Sequence, residues 1–166
     1  ANYQFPQRAE SIFSRINFNI KQSQKTTISL PELCIGFKSK YFIITAGLFA
    51  DTIRMSGLSP TNSNFYVTQN SVPYARLRLG SNKFIRIGKS NFFFAALYEE
   101  GILNDNRIVS NPHLHHKYLY VKKGNPNKLE VTFGLDHFIF WGGHTASIEY
   151  TPTLKEYIKT ILGGKY

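Results

Sequence analysis

The chain has 166 residues, with 20 Lys and Arg against 10 Asp and Glu, a formal net charge of +10 and a single cysteine, Cys34. Its length is enough for one domain with a substantial core, and its charge favours an anionic partner: nucleic acid, an anionic lipid surface or an acidic polysaccharide. The lone cysteine excludes an intramolecular disulfide framework and a cysteine-based zinc site.

Aromatic residues are unusually frequent at 15%, with ten Tyr and fourteen Phe, while charged residues reach only 18%. No stretch approaches the ~20 apolar residues that a membrane-spanning helix needs. That absence excludes only a membrane-spanning helix. The strands of a membrane barrel alternate apolar and polar residues, so they contain no long apolar run.

From the N-terminus onward the dominant sequence period is two. In Arg15–Lys21, "RINFNIK", apolar and polar residues alternate, and Lys128–Ile139, "KLEVTFGLDHFI", repeats the pattern. In the second segment the apolar positions are Leu129, Val131, Phe133, Leu135 and Ile139, and the polar or small positions are Lys128, Glu130, Thr132, Gly134 and Asp136. Such segments predict strands with one apolar and one wet face. Further strands are predicted over Thr27–Phe37, Tyr41–Phe49, Tyr74–Leu79, Phe84–Gly88, Phe92–Tyr98 and Leu114–Lys122.

The connections between these strands carry turn residues. Gly80–Lys83, "GSNK", and Lys122–Lys128, "KKGNPNK", predict hairpin connections, and Ser56–Pro73 predicts a long polar loop or a broken element. Glu99-Glu100-Gly101 predicts a turn or loop after a strand.

One helix is predicted near the end of the chain. Thr153 and Glu156 fit a capping box, and Gly163 fits the position just past the last turn. The intervening apolar residues recur at helical spacing and make the helix amphipathic. They are Leu154, Tyr157, Ile158, Ile161 and Leu162.

Aromatic residues cluster near the predicted strand ends, as in Phe92–Phe94 and Phe138–Trp141. Aromatic girdles at the two membrane interfaces are expected of outer-membrane barrels. A soluble β-sandwich also favours aromatics, so both architectures stay open on periodicity alone.

The sequence gives little support for a catalytic site or a metal-binding site. The histidine run His113–His116, "HLHH", contains no Asp or Glu that could complete a metal site. The spacing of the carboxylates along the chain does not place any two of them opposite each other, as a glycosidase site requires. There is no Gly-x-Ser-x-Gly elbow and no phosphate-cradling loop. We therefore predict neither an enzyme nor a metal or cofactor site. The side chains that could carry such chemistry are His113, His115, His116, His137, His144, Glu99, Glu100, Asp105 and Asp136.

Three segments carry a resemblance to a known family. "LHHKYLY" at Leu114–Tyr120, "GLDHFIFWGG" at Gly134–Gly143 and the Gly-x-Leu-x-Asp-x-Arg run from Gly101 to Arg107 resemble the capsule assembly protein Wzi family in its Bacteroidetes-like form. The resemblance covers roughly Lys40 to Lys159 and implies an antiparallel outer-membrane β-barrel that associates with capsular or other surface polysaccharide, in a lectin-like and non-catalytic role. It implies that helices plug or cap the barrel, and Thr153–Leu162 is a candidate for one of them.

Such a barrel needs more strands than this chain supplies. We therefore expect residues 1–166 to be a single domain, an incomplete barrel segment from the N-terminal part of a larger protein in the outer membrane of a Gram-negative bacterium. Outer-membrane lipid is then the second expected partner.

The wet face supplies the candidate ligand-binding residues, because Tyr and His can stack on sugar rings while cations meet acidic sugars. His116, Tyr118, Tyr120 and Lys122 are expected to share one face of their strand, with Leu114 falling in the same register. The full set of polysaccharide-binding candidates is Arg86, Arg107, His116, Tyr118, Tyr120, Lys122, Glu130, Asp136 and Trp141.

Two alternatives share parts of this pattern. A porin-like sugar channel or transporter would have the same strands and differ by conducting solutes. A soluble basic β domain could use "HHKYLYVKK" to stack and bind nucleic acid. The basic residues are spread along the chain instead of defining one element, which disfavours nucleic acid as the partner.

Overall fold

The computed structural model describes residues 10–22, 26–51, 72–103, 108–124, 129–147, 149–150 and 153–164. These residues form strands and one short helix, which confirms the predicted all-β class with a C-terminal helix. The strands are β1 Ser11–Gln22, β2 Thr26–Lys38, β3 Phe42–Leu48, β4 Ala75–Ser81, β5 Ile85–Arg86, β6 Phe92–Ile102, β7 His113–Gly124, β8 Glu130–Trp141, β9 Gly143–His144 and β10 Glu149–Tyr150, and the helix is α1 Leu154–Ile161.

The main sheet is an antiparallel meander in the order β1-β2-β3-β4-β6-β7-β8, with β5 also paired to β6. Within the described residues the sheet is open, and β1 and β8 form its two edges. The ladder between β1 and β2 shifts register between Asn17 and Asn19, opposite the segment of β2 that contains Pro31. Proline has no N–H to donate to the ladder, so a bulge is where a strand accommodates it.

The predicted hairpin at Gly80–Lys83 is wrong. Both β4 and β5 run antiparallel to β6 along the same side of it, so they occupy one position in the sheet. Ser81 continues that line, since its hydroxyl both donates to the Ala96 carbonyl and accepts from the Ala96 N–H. The chain reverses instead between β5 and β6, where the Ile87 N–H donates to the Phe92 carbonyl and Gly88 has a φ of 57°.

The second predicted hairpin agrees with the pairing of β7 and β8, whose register begins at Gly124 and Glu130. Residues 125–128 of that connection lie outside the described residues, as does the Ser56–Pro73 segment up to residue 71. Glu99 and Glu100 do not form a turn, because β6 continues through both to Ile102.

Paired residues in a sheet point to the same side, so the register divides the side chains into two faces. We call polar face the one that carries Arg76, Arg78, Glu99, His116 and Asp136. We call apolar face the one that carries Leu77, Leu79, Leu119, Phe133 and Leu135.

Burial on the two faces is the reverse of a soluble sheet. The polar face holds most of the buried residues in the strands, including Arg76, Glu99 and His116, whereas Phe133 on the apolar face is 70% exposed. A contiguous exposed apolar surface marks an interaction site in a folded protein, because exposing it to water is unfavourable.

A small hydrophobic cluster of Tyr74, Leu103 and Leu114 lies at the end of the sheet where β4 begins and β6 ends. Leu114 belongs to the polar-face register, as its position in the sequence predicts. No helix among the described residues is long and apolar enough to cross a membrane.

The helix α1 has the predicted ends. The Thr153 hydroxyl accepts from the Glu156 N–H, and the Glu156 carboxylate accepts from the Thr153 N–H, so the capping box is confirmed. Gly163 follows the last turn with a φ of 77°, the left-handed region that glycine tolerates.

Candidate functional site

The centre of the polar face is a closed network of charges around Glu99. Register places Arg78 opposite Glu99 and Arg76 two residues before Arg78, on the same side of β4. Arg76 Nη1 donates to Glu99 Oε1 at 3.1 Å and Arg78 Nε donates to Glu99 Oε2 at 2.5 Å. Glu99 is 0% exposed, so these contacts compensate a fully desolvated carboxylate.

The segment after β3 completes the network. Asp51 Oδ1 accepts from Arg78 Nη2 at 2.5 Å, and the Phe49 carbonyl accepts from Arg76 Nη2 at 2.6 Å. The Phe49 ring also lies against the Arg76 guanidinium, with 4.2 Å between the ring centroid and Cζ. The guanidinium groups of Arg76 and Arg78 are therefore paired with two carboxylates, those of Glu99 and Asp51, and the network has no net charge.

Asp51, within this network, and Tyr74, beside it, have shifted pKa values. Burial alone would raise the pKa of Asp51, but the charges and hydrogen bonds of Arg78 and Arg76 outweigh it and lower that pKa. Burial and the neighbouring Glu99 carboxylate raise the pKa of the Tyr74 phenol, whose O–H donates to Glu99 Oε1 at 2.9 Å. Tyr74 therefore stays protonated and acts as a donor.

A second group of polar side chains continues across β7 and β8. His116, paired with Glu99 in register, has its Nε2 2.7 Å from Asp136 Oδ1. The Tyr120 hydroxyl donates to Asp136 Oδ2 at 3.1 Å. Asp136 therefore connects His116 and Tyr120 and fixes the orientation of both side chains.

Aromatic rings form a ladder along the polar face of β7. The ring centroids of His116 and Tyr118 are 5.9 Å apart, and those of Tyr118 and Tyr120 are 4.9 Å apart. The Tyr120 ring also covers Gly134, where an added Cβ would collide with it. The rings of His116, Tyr118 and Tyr120 therefore form one continuous aromatic surface along β7.

Basic side chains lie at the far end of this ladder. Lys122 Nζ is 3.2 Å from Glu130 Oε1 and 4.8 Å from the Phe84 ring centroid. Arg86, paired with Phe93, is on the same face and is exposed, with its Nε donating to the Ser90 carbonyl. Arg86 is therefore the accessible cation of the two, whereas the Lys122 side chain is 21% exposed, the same as that of Arg78.

The structure thus brings most of the sequence-predicted candidates to one face. His116, Tyr118, Tyr120 and Lys122 share the polar face as predicted, and the register adds Arg86, Glu130 and Asp136.

Two candidates do not join them. Trp141 pairs with His113 on the opposite face and packs against Tyr157 of α1, with 5.0 Å between their ring centroids. Its inclusion among the wet-face residues was wrong, because residues 136 and 141 have opposite parity in one continuous strand. Arg107 lies outside the described residues.

Sequence reasoning missed the centre of the site. Arg76 and Arg78 stand at alternate positions of a predicted strand, a signal that they share a face. Nothing in the sequence, however, shows which strand lies beside them. The sequence predicts a turn or loop at Glu99, and only the register between β4 and β6 brings this residue to the two arginines.

The apolar face carries its own polar cluster beneath α1. His115 Nδ1 is 2.6 Å from Glu100 Oε1, which also accepts from the Tyr157 hydroxyl at 3.0 Å. The Lys117 ammonium donates to the Ile161 carbonyl in the last turn of the helix. In the part of the chain that the structure describes, no three His, Cys, Asp or Glu side chains are placed to hold a metal ion.

A scan against protein-family models gave no match, and searches of curated proteins and of solved structures found no similar protein. The resemblance to the Wzi family therefore stays a prediction.

Proposed function

We propose that this chain forms part of the wall of a β-barrel in the outer membrane of a Gram-negative bacterium, with its apolar face toward lipid and its polar face toward the interior. The observation that carries the proposal is the reversed burial, with desolvated charges on one face and exposed Leu, Ile, Val and Phe on the other. Membrane barrels require this arrangement because lipid replaces water outside the wall.

Strand length is compatible with the proposal. A barrel strand needs roughly 9–11 residues to cross a bilayer. The three consecutive strands β6, β7 and β8 have 11, 12 and 12 residues. The lipid-facing positions would include Leu119 and Val121 of β7 and Phe133 and Leu135 of β8.

The polar face suits a non-catalytic, lectin-like binder of capsular or other surface polysaccharide. Tyr118 and Tyr120 offer ring faces on which a sugar ring can stack, and their hydroxyls can bond to sugar hydroxyls. Lys122 and Arg86 at the end of the ladder supply positive charge for acidic sugars. His116 and Asp136 hold the ladder in place, and no step of bond cleavage is assigned to them.

The test is retention of the cell's own purified surface polysaccharide by the protein in detergent micelles. Replacing Tyr118 by Ala removes an aromatic surface without touching the Glu99 network, and we expect about tenfold weaker binding, which corresponds to about 1.4 kcal/mol. Tyr41→Ala is the matched control, because Tyr41 is exposed in the turn between β2 and β3, away from the ladder.

Equal binding by the Tyr118→Ala and Tyr41→Ala proteins would contradict a binding role for the ladder. Sugar-dependent swelling of liposomes that contain the protein, without retention of polysaccharide, would assign the same wall to a porin-like channel instead.

A further inference from the structure

We infer that α1 is an interfacial membrane helix, which lies on the outside of the sheet at the boundary of the lipid layer and docks there on anionic headgroups. The inference rests on the proposed membrane location of the sheet and adds to it a second, distinct lipid contact.

The helix packs on the apolar face. Tyr157 contacts Glu100 and Tyr98 of β6 through hydrogen bonds and Trp141 of β8 through its ring. Tyr98 pairs with Leu79 and with Lys117, so all of these positions belong to the apolar-face register. A helix that plugged the interior of the proposed barrel would contact the polar face, whereas these contacts place α1 on the apolar face.

The two faces exchange polarity at this end of β7 and β8. On β7 the apolar face changes from Val121 and Leu119 to Lys117 and His115, while the polar face changes from Tyr118 to the buried Leu114. On β8 the apolar face changes from Leu135 to His137. On these two strands the apolar surface is therefore interrupted where α1 lies.

Such a stop is expected where strands leave the hydrocarbon layer. Glu100, His115 and Lys117 cannot face acyl chains without a large desolvation penalty. In the structure α1 covers them, and His115 is 0% exposed beneath it. Tyr98 and Trp141 both contact Tyr157 of the helix, and Tyr and Trp are the residues enriched where a membrane protein meets the interface.

The outer side of the helix matches this location. Leu154, Ile158 and Leu162 follow one another at four-residue steps and remain exposed, at 74% for Leu154 and 78% for Leu162. The next residues along the chain from Leu154 and Ile158 are Lys155 and Lys159, so a basic stripe borders the apolar stripe.

The charges favour lipid over other occupants. Lys155 and Lys159 are exposed, whereas the one acidic side chain of the helix, Glu156, is engaged in the capping box. An apolar stripe beside lysines is the pattern of helices that lie in the headgroup region of anionic membranes.

The experiment uses the protein reconstituted in vesicles of phosphatidylethanolamine and phosphatidylglycerol, in a Cys34→Ser background. A bimane label is placed at Ile158→Cys, at Phe133→Cys or at Thr132→Cys, and its fluorescence is quenched by lipids with a nitroxide near the headgroup or deep in the chain. Phe133 reports the apolar face, and Thr132 is its neighbour on the polar face.

We expect the label at Ile158→Cys to be quenched about twofold more strongly by the shallow than by the deep nitroxide, since an interfacial helix sits roughly 5–10 Å into the boundary. The Phe133→Cys label should be quenched by lipid and the Thr132→Cys label should not. Reversing charge in Lys155→Glu/Lys159→Glu should remove most of the shallow quenching at position 158 while quenching at position 133 persists.

Quenching at Phe133→Cys without any at Ile158→Cys would overturn the helix inference and leave the membrane proposal intact. Absence of lipid quenching at both positions would overturn both. If the label at Ile158→Cys became less accessible to the lipid nitroxides as the protein density in the vesicles increased, the apolar stripe of α1 would contact a second copy of the chain. That result would overturn the lipid inference.

Discussion

At the scale of single residues, Glu99 is the side chain on which the polar face depends most. It neutralises two arginines within hydrogen-bonding distance while being inaccessible to solvent. Replacing Glu99 by Gln removes the charge and keeps the shape, which leaves Arg76 buried with one carboxylate partner fewer. We expect a loss of about 3–5 kcal/mol in the free energy of unfolding, the usual effect of breaking a buried pair.

Chemical unfolding in detergent micelles measures this effect, and Glu130→Gln is the control. The Lys122–Glu130 pair is partly exposed, so its loss should cost less than about 1 kcal/mol. Equal losses for the two variants would show that the Glu99 network contributes no more than a surface pair.

The lowered pKa of Asp51 gives a pH dependence whose sign follows from proton uptake. The folded protein holds Asp51 ionised below its ordinary pKa of 3.8, whereas the unfolded chain binds a proton there. Asp51 therefore contributes stability above that pH, and the contribution is lost as pH falls through the lowered value. In Asp51→Asn the decline of unfolding free energy below pH 4 should be shallower. A slope identical to that of the unchanged protein would refute the assigned role.

Sequence parity predicted the face of individual residues where a strand was long and regular. It placed His116, Tyr118, Tyr120 and Lys122 together, and applied to β8 it would have excluded Trp141. It could not pair Arg78 with Glu99, because the strand neighbour of β4 depends on tertiary register and not on local pattern.

At the scale of elements, the Tyr120 ring of β7 packs directly over Gly134 of β8. The Tyr120 ring lies so close to Gly134 that a Cβ at this position would collide with it, and the Tyr120 hydroxyl donates a hydrogen bond to Asp136. Gly134→Ala should displace the ring and destabilise the protein by about 1–3 kcal/mol, as overpacking does.

Gly80→Ala is the matched control in the same sheet. A Cβ at that position would meet chiefly the flexible end of the Leu97 side chain, so we expect a clearly smaller shift of the unfolding midpoint. If the two variants unfolded alike, the Tyr120 contact would have no special role.

The ends of α1 were predictable because capping residues act locally, while its docking face was not. Thr153→Ala removes one half of the capping box and should weaken the first turn by about 1 kcal/mol. The readout is faster amide exchange at Glu156, with Thr153→Ser restoring the original rate. Unchanged exchange in Thr153→Ala would mean that packing against Tyr98 and Trp141 alone holds the helix.

At the scale of the whole molecule, the proposed membrane location requires the apolar face of the sheet to lie against lipid and the polar face to lie in water. The sequence period of two predicted that the strands have one apolar and one polar face. It did not predict the exchange of polarity near α1, because that exchange is visible only when Leu114, Lys117 and His137 are placed in the register of β7 and β8.

The most direct test is a cysteine scan along β8 in lipid vesicles, in the Cys34→Ser background. Labels at Val131, Phe133 and Leu135 should be quenched by lipid nitroxides and protected from aqueous iodide, while labels at Thr132 and Asp136 should show the opposite. This alternation is the predicted result. Iodide quenching at Val131, Phe133 and Leu135 would contradict the account, because the apolar face would then lie in water.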